Sequence, residues 1–308
     1  MKSTAAGLSL ERGADGRSEW VFAPDYGSGF EVRAVEGKGV GCFALHDFKP
    51  GERLLAERPL CVWSTALGRP EELNRIVARL SDAERADFFA LSNGGNALSP
   101  HGIWLANAYP IGDRGARVTG RQAAVFRLAC RFNHACAPNA HISWNEALGM
   151  QTIHAQFSIR AGQEITVAYM GGDGAPRAGR RAALQSKFGF ACSCELCELT
   201  GTPLRTSDER QAAVARLGAD INREPRPQNT IALVERRLRL MREEGMPPVW
   251  GKSSMFTAQI HAASRCDYVR ADTWATQASE CARASTGADS PEYELHASFI
   301  GKRPDGWR

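Results

Sequence analysis

No stretch of this chain is apolar for long enough to form a bilayer-spanning helix, so a helical membrane protein is not expected. The opening residues, Met1 to Trp20, lack the apolar core of a secretory signal. They mix Lys2, Glu11, Arg12, Asp15 and Arg17 with small side chains instead. Residues 1–28 therefore read as a disordered lead, and the expected location is intracellular, in nucleus, cytoplasm or both. Dense Lys/Arg runs with interleaved aromatics are missing as well, and the net charge of +4 is mild for 308 residues. Direct nucleic-acid binding is not expected, and no basic import cluster chooses between nucleus and cytoplasm. No internal repeat stands out. A reducing compartment disfavours disulfides, and an odd count of nine cysteines fits thiols or metal ligands better.

What is present suits a soluble globular protein: 43% of residues are hydrophobic and 23% charged, enough for a sizeable core in one or two domains. Phe30 to Val35 alternates as a strand and ends at the turn Glu36-Gly37-Lys38-Gly39-Val40-Gly41. Cys42 to Leu45 and Arg53 to Glu57 read as further strands, separated by a turn at Lys49 to Glu52. Leu73, Ile76, Val77 and Leu80 recur at helical spacing, and Ser81-Asp82-Ala83-Glu84 reads as the cap of a second short helix. Ser92 to Pro100 reads as a loop and 101–111 as extended. Ile142 to Trp144, Gln151 to Ala155 and Ile165 to Tyr169 are strand candidates. Met170 to Gly179 is glycine-rich and reads as mobile, with a helical turn after it at Arg180 to Lys187. Beyond Thr202 the pattern is helical. Ile231, Val234, Leu238 and Met241 form a stripe, Arg236, Arg237, Arg239 and Arg242 read as a solvated face, and Pro247-Pro248 interrupts.

Cys192, Cys194 and Cys197 crowd one short loop. Three thiols so close cannot all pair as disulfides. C-x-C-x-x-C spacing suits tetrahedral zinc, whose fourth ligand must come from elsewhere. Cys42, Cys61, Cys130, Cys266 and Cys281 read as small apolar residues. His141 and His154 read as solvent-facing or core histidines, and Trp104 and Trp144 as core.

Three further segments carry the most specific signal: Lys38-Gly39-Val40-Gly41, Asn133-His134-Ala135-Cys136-Ala137-Pro138-Asn139, and Gly162-Gln163-Glu164-Ile165-Thr166-Val167-Ala168-Tyr169. With Phe190 and the cysteine triplet they resemble the SET-domain methyltransferases, in particular the SMYD-like branch common in fungi. Ala135 replaces the motif's serine and Gln163 its first glutamate. Asn107-Ala108-Tyr109-Pro110-Ile111 resembles the Asn-x-Phe segment of the SMYD-like insert. Residues 64–129 contain no cysteine, so the MYND zinc finger of that branch is absent.

The resemblance implies an α+β fold. Small β-sheets surround a pseudoknot, with a helical insert, a post-SET zinc loop and a helical C-terminal region. It divides the chain into a lead (1–28), a SET domain (29–190, insert 64–110), a zinc loop (191–202), a helical region (203–300) and a tail (301–308). It also implies transfer of a methyl group from S-adenosylmethionine to a lysine of a protein substrate, histone or non-histone, and with it a chromatin role.

On the same resemblance, Lys38, Gly39 and Val40 line the methionine end of the cofactor. Asn133 and His134 hold it, Phe190 packs on the adenine, and Asn107 is a further contact. Tyr169 sits beside both the cofactor and the amine as the catalytic residue. Phe188 walls the lysine channel, where a Phe in place of Tyr leaves room for a more methylated product. Cys136 joins Cys192, Cys194 and Cys197 as the fourth zinc ligand. Two alternatives stay open: a catalytically weak SET scaffold, supported by Ala135 alone, and a SET fold acting on a small molecule.

Overall fold

The protein is described from a computed structural model, over residues 8–12, 18–22, 29–64, 68–94, 98–112, 122–171, 174–223 and 228–302. The lead is not wholly without regular structure: β1 (Leu8–Arg12) pairs antiparallel with β2 (Ser18–Phe22). Neither five-residue segment has enough apolar alternation to announce a strand by itself. The rest of the lead, and 303–308 of the tail, lie outside the described residues.

β3 (Phe30–Val35) and β4 (Gly39–Ala44) form a hairpin, with Phe30 opposite Ala44 and Val35 opposite Gly39. Its tip turns through Gly37 at φ 72° and Gly39 at φ 77°, left-handed values that glycine adopts without a Cβ clash. β5 (Arg53–Glu57) and β6 (Cys61–Ser64) lead into the insert.

There, α1 (Pro70–Ala78) starts on a proline and buries Leu73 and Val77. α2 (Asp82–Phe89) opens with the capping box Ser81/Glu84 that the sequence signals. α3 (Pro100–Asn107) corrects the extended reading of 101–111. The Ser99 hydroxyl accepts the Gly102 N–H, Pro100 occupies the first turn, and Ile103, Trp104 and Asn107 share one buried helical face. Only β7 (Tyr109–Pro110) is extended; it pairs with β8 (Gln122–Val125), which also pairs with β6.

After β9 (Asn133–His134), the hairpin of β10 (Ala140–Asn145) and β11 (Met150–Ala155) pairs through β11 with β5. The chain then returns as β12 (Glu164–Val167), antiparallel to β4 and parallel to β9. The strand stops at Val167, so Ala168 and Tyr169 leave the sheet. The core beneath these small sheets holds Phe30, Phe48, Leu55, Phe126, Phe132, Ile153, Ile159 and Ile165. A second core, with Trp63, Leu73, Phe88, Ile103 and Trp104, fastens the insert.

α4 (Arg177–Phe188) is longer than the single turn expected and begins inside the segment read as mobile. α5 (Glu195–Glu198) lies within the cysteine loop. The C-terminal helices are α6 (Gly201–Ile221), α7 (Thr230–Glu243), α8 (Lys252–Ser264), α9 (Tyr268–Thr286) and α10 (Pro291–Ala297). The stripe on α7 faces Ile221, Ala258 and Trp274 as its period requires.

Arg237 departs from the solvated reading: its guanidinium turns inward and donates to Ser254 Oγ at 2.8 Å. Cys266 departs too, being exposed at φ 60° rather than buried as a small apolar residue. His154 is fully buried on β11. Its Nε2 accepts from Arg53 Nε at 3.0 Å, and the same guanidinium pairs with Asp289 beyond α9.

Candidate active site

The hairpin β3–β4 presents its glycine tip to β9 and β12, and one asparagine fastens the three together. Asn133 Nδ2 donates to the Val40 carbonyl at 2.9 Å and to Glu164 Oε1 at 2.8 Å. Lys38 Nζ lies 3.8 Å from the other oxygen of Glu164. This approach demands glycine at 41, where a Cβ would fall 2.7 Å from Glu164 Oε1 and 2.8 Å from Asn133 Nδ2. Glu164 is thus a linker between turn and strand.

Asn139, quoted within the motif but given no role, pins the same strand from the other side. Its Nδ2 donates to the Glu164 carbonyl and its Oδ1 accepts the Thr166 N–H, both at 2.8 Å. Between the two asparagines, the Ala135 N–H donates to the Val167 carbonyl at 3.1 Å, so the exchange of serine for alanine leaves the backbone pairing intact.

His134 points away from solvent. Its Nδ1 accepts the Tyr169 N–H at 3.1 Å, which places the ring proton on Nε2, 3.4 Å from Cys136 Sγ. Burial lowers its pKa to about 4, so the imidazole is neutral. The Tyr169 hydroxyl donates to the Phe132 carbonyl at 2.9 Å. Burial, with Cys130 and Cys42 nearby, pushes this phenol well above its ordinary value, and it stays protonated. Around it stand Phe188, ring centroids 5.2 Å apart, and Phe190 at 6.3 Å.

These residues line a single cavity of about 540 Å³, within the usual range for small-molecule sites. Lys38, Gly39, Val40, Asn107, Asn133, His134, Tyr169, Phe188 and Phe190 all border it. Five separate segments meet there: the glycine tip, the insert, residues 130–134, Tyr169 beyond β12, and the chain from the end of α4 into the cysteine loop. At the last junction Gly189 ends α4 at φ 76°, where a Cβ would stand 2.6 Å from the Gly94 carbonyl of the insert.

Asn107 borders the cavity, but its amide is committed elsewhere: Nδ2 donates to the carbonyls of Ser92 at 2.6 Å and Ile103 at 2.7 Å. It fixes the insert loop that forms one wall. Sequence reasoning missed Arg131 and the backbone of Ser92 and Gly94 as lining, since neither type nor spacing marks them. It also missed Glu57, which accepts the Leu128 and Ala129 N–H groups at 2.8–3.1 Å. That bond set holds the short turn Ala129–Arg131 that carries Arg131 to the cavity.

Behind the cavity, the sulfurs of Cys136, Cys192, Cys194 and Cys197 all lie within 4.8 Å of one another. Cys136 Sγ is 3.6 Å from Cys197 Sγ and 4.0 Å from Cys192 Sγ. Tetrahedral zinc with ~2.3 Å Zn–S bonds sets sulfurs ~3.8 Å apart, so the donor set fits that ion. The Cys136 N–H points at Cys194 Sγ, 3.4 Å away, as an outer-shell bond to a ligand does. Because Cys192 and Cys194 also border the cavity, this loop is one of its walls.

Residues 39–170 match the SET domain family. Over 280 residues the chain is 26% identical to the histone-lysine N-methyltransferase set5 of Schizosaccharomyces pombe, covering 88% of this chain and 83% of that protein. Shorter likenesses are to two proteins of Arabidopsis thaliana. Histone-lysine N-methyltransferase ATXR4 is 34% identical over 79 residues, covering 25% of this chain and 23% of that one. Histone-lysine N-methyltransferase ASHR1 is 32% identical over 97 residues, covering 32% and 19%. Gly39, Asn133 and Tyr169 fall inside the matched span and come together around one cavity; residues 39–170 form a SET domain, and the chain is similar to histone-lysine N-methyltransferases.

Proposed function

We propose that the chain transfers a methyl group from S-adenosylmethionine to a lysine of a protein substrate. The observation that carries this is the shared cavity, which Lys38, Asn133, Tyr169, Phe188 and Phe190 line together. The site suits the donor. Gly37 and Gly39 leave open space where side chains would project, and Lys38, paired loosely with Glu164, brings a cation to the cavity that suits a carboxylate. When bound, S-adenosylmethionine supplies an electrophilic methyl group on a sulfonium.

The protein's own residues position the partners. Phe188 and Phe190 offer apolar, half-buried walls, and an amine desolvated against them is favoured in its neutral, nucleophilic form. Tyr169 does not act as a base, since burial keeps its phenol protonated. Its proton is given to the Phe132 carbonyl, so a lone pair of its oxygen is left to accept from the amine and aim the nitrogen. Asn133, with both amide protons given to Val40 and Glu164, shapes the pocket and offers only its carbonyl oxygen to a ligand.

Zinc, held by Cys136, Cys192, Cys194 and Cys197, keeps the Phe188–Phe190 wall in place. The relatives named as histone-lysine N-methyltransferases favour a histone substrate and a nuclear location for this chain.

Isothermal titration of zinc-replete protein with S-adenosylmethionine, beside Asn133→Ala, tests the donor assignment. Saturable binding that the variant weakens is the expected result; no binding by folded, zinc-loaded protein overturns it. Transfer of labelled methyl from the same donor to core histones, abolished in Tyr169→Phe, tests the acceptor.

A further inference from the structure

Arg180 stands out on α4 as a buried cation with no carboxylate partner among the described residues. It is 8% exposed. Its Nη1 donates to the Ala175 carbonyl at 2.7 Å, its Nη2 lies 3.9 Å from Cys197 Sγ, and its Nε has no partner among the described residues. The guanidinium faces the sulfur cluster: Cys197 Sγ lies 3.9 Å from Nη2, and Cys136 Sγ is 3.6 Å from that sulfur. A guanidinium is always ionised, and withdrawing one from water is costly unless an opposite charge meets it.

Resting on the zinc reading above, we infer that Arg180 is the counter-charge of the four-cysteine centre. Four thiolates around one Zn²⁺ leave a net charge of −2 in a buried loop. Arg180 offsets half of that charge from the helix side. Four neutral thiols would leave the cation unpaired, so the burial of Arg180 and ionisation of the cysteines support each other.

One turn earlier on the same helix, Arg177 Nη1 donates to the carbonyls of Cys197 at 3.4 Å and Leu199 at 2.9 Å. The helix therefore meets the loop twice: Arg177 grips its backbone and Arg180 faces its sulfur. Arg180 is a positioning residue in this account, acting on metal retention and only through it on the cavity wall.

The test uses the full chain loaded with zinc, as wild type, Arg180→Met and Arg180→Lys. Bound metal is counted by mass spectrometry, and Zn²⁺ affinity and release are followed by transfer to a chromogenic chelator. The expected result is a loss of affinity of about 10–100-fold in Arg180→Met, the usual scale for an outer-shell group. Arg180→Lys, which keeps the charge and loses the planar fork, should stay within a few-fold of wild type. Wild-type affinity in Arg180→Met overturns the inference. So does equal loss in both variants, which would make Arg180 a fastener for Ala175 rather than a charge. Should Arg180→Met not fold, Arg180→Lys decides alone: retention supports the charge role and loss refutes it. A wild-type protein that takes up no zinc is a distinct result: it refutes the zinc reading, and the role of Arg180 with it.

Discussion

The phenol of Tyr169 donates to the carbonyl of Phe132 at 2.9 Å, while the backbone N–H of Tyr169 donates to His134 Nδ1 at 3.1 Å. One residue is thus held at both ends by the strand that carries the Asn-His motif. Removing the hydroxyl as Tyr169→Phe should cost about 1 kcal/mol of stability, since the Phe132 carbonyl loses its partner. Methyl transfer should fall far more, by about 100-fold, because the amine loses the group that aims it. Thermal midpoints, cofactor affinity and single-turnover rates, measured together, separate the two effects. Equal turnover in the variant would sink the role given to Tyr169.

Gly41 has no room for a methyl group, since its Cβ would fall 2.7 Å from Glu164 Oε1, 2.8 Å from Asn133 Nδ2 and 3.0 Å from Val35 Cγ2. Gly41→Ala should push Asn133 from the Val40 carbonyl and distort the glycine tip. Overpacking of this kind costs ~1–3 kcal/mol, which is on the order of a tenfold loss of cofactor affinity if borne by the site. Calorimetric titration reads it directly. Unchanged affinity would show that the Asn133 latch does not shape the pocket.

Metal removal should act on stability and on the cavity together, because Cys192 and Cys194 border it. At free zinc near a thousandfold its dissociation constant, the ion stabilises the fold by about 4 kcal/mol. For a chain of this size chelation should then lower the thermal midpoint by on the order of 10 °C. Cys192→Ser should reproduce the shift without chelator. A midpoint indifferent to chelator would count against a structural metal.

His154 links the C-terminal helices to the sheet through Arg53 and Asp289, and burial holds its pKa well below the ordinary value of 6.5, with Arg53 and then His141 adding to the effect. The folded state therefore keeps this imidazole neutral, while the unfolded chain takes up a proton near 6.5. With the unfolded state binding more protons on acidification, stability is full above that pH and is lost as pH falls below it. The loss approaches about 1.4 kcal/mol per pH unit for this one group. In His154→Gln the dependence should flatten between pH 6.5 and the acid limit of folding. Denaturant midpoints at several pH values, wild type against variant, measure this; identical slopes would exclude His154 as the source.

The sequence by itself determined the parts whose chemistry is local. A turn that needs positive φ favours glycine, so Gly37 and Gly39 could be read in place. The capping box at Ser81 and Glu84 satisfies helix donors within four residues, and the cysteine triplet supplies three of the four clustered sulfurs within six. Motif spacing also brought Asn133, His134, Tyr169 and Phe190 into one expected site.

Only the tertiary structure decided what depends on partners distant in the chain. Asn107 borders the cavity as the resemblance implies, and its amide nitrogen is bonded to the carbonyls of Ser92 and Ile103, which only the packing of the insert shows. α3 is helical because Ile103 and Trp104 pack into the core around Trp63 and Phe88, a choice that short apolar runs leave open. Arg237 and Arg180 sit on helices where an arginine reads as solvated. Each turns inward to a group on another element, Ser254 in one case and Cys197 in the other. A residue type and its period say which face of an element a side chain occupies. What that face meets, and so whether a charge is solvated, latched or set against a cluster of sulfurs, follows only from how the elements pack.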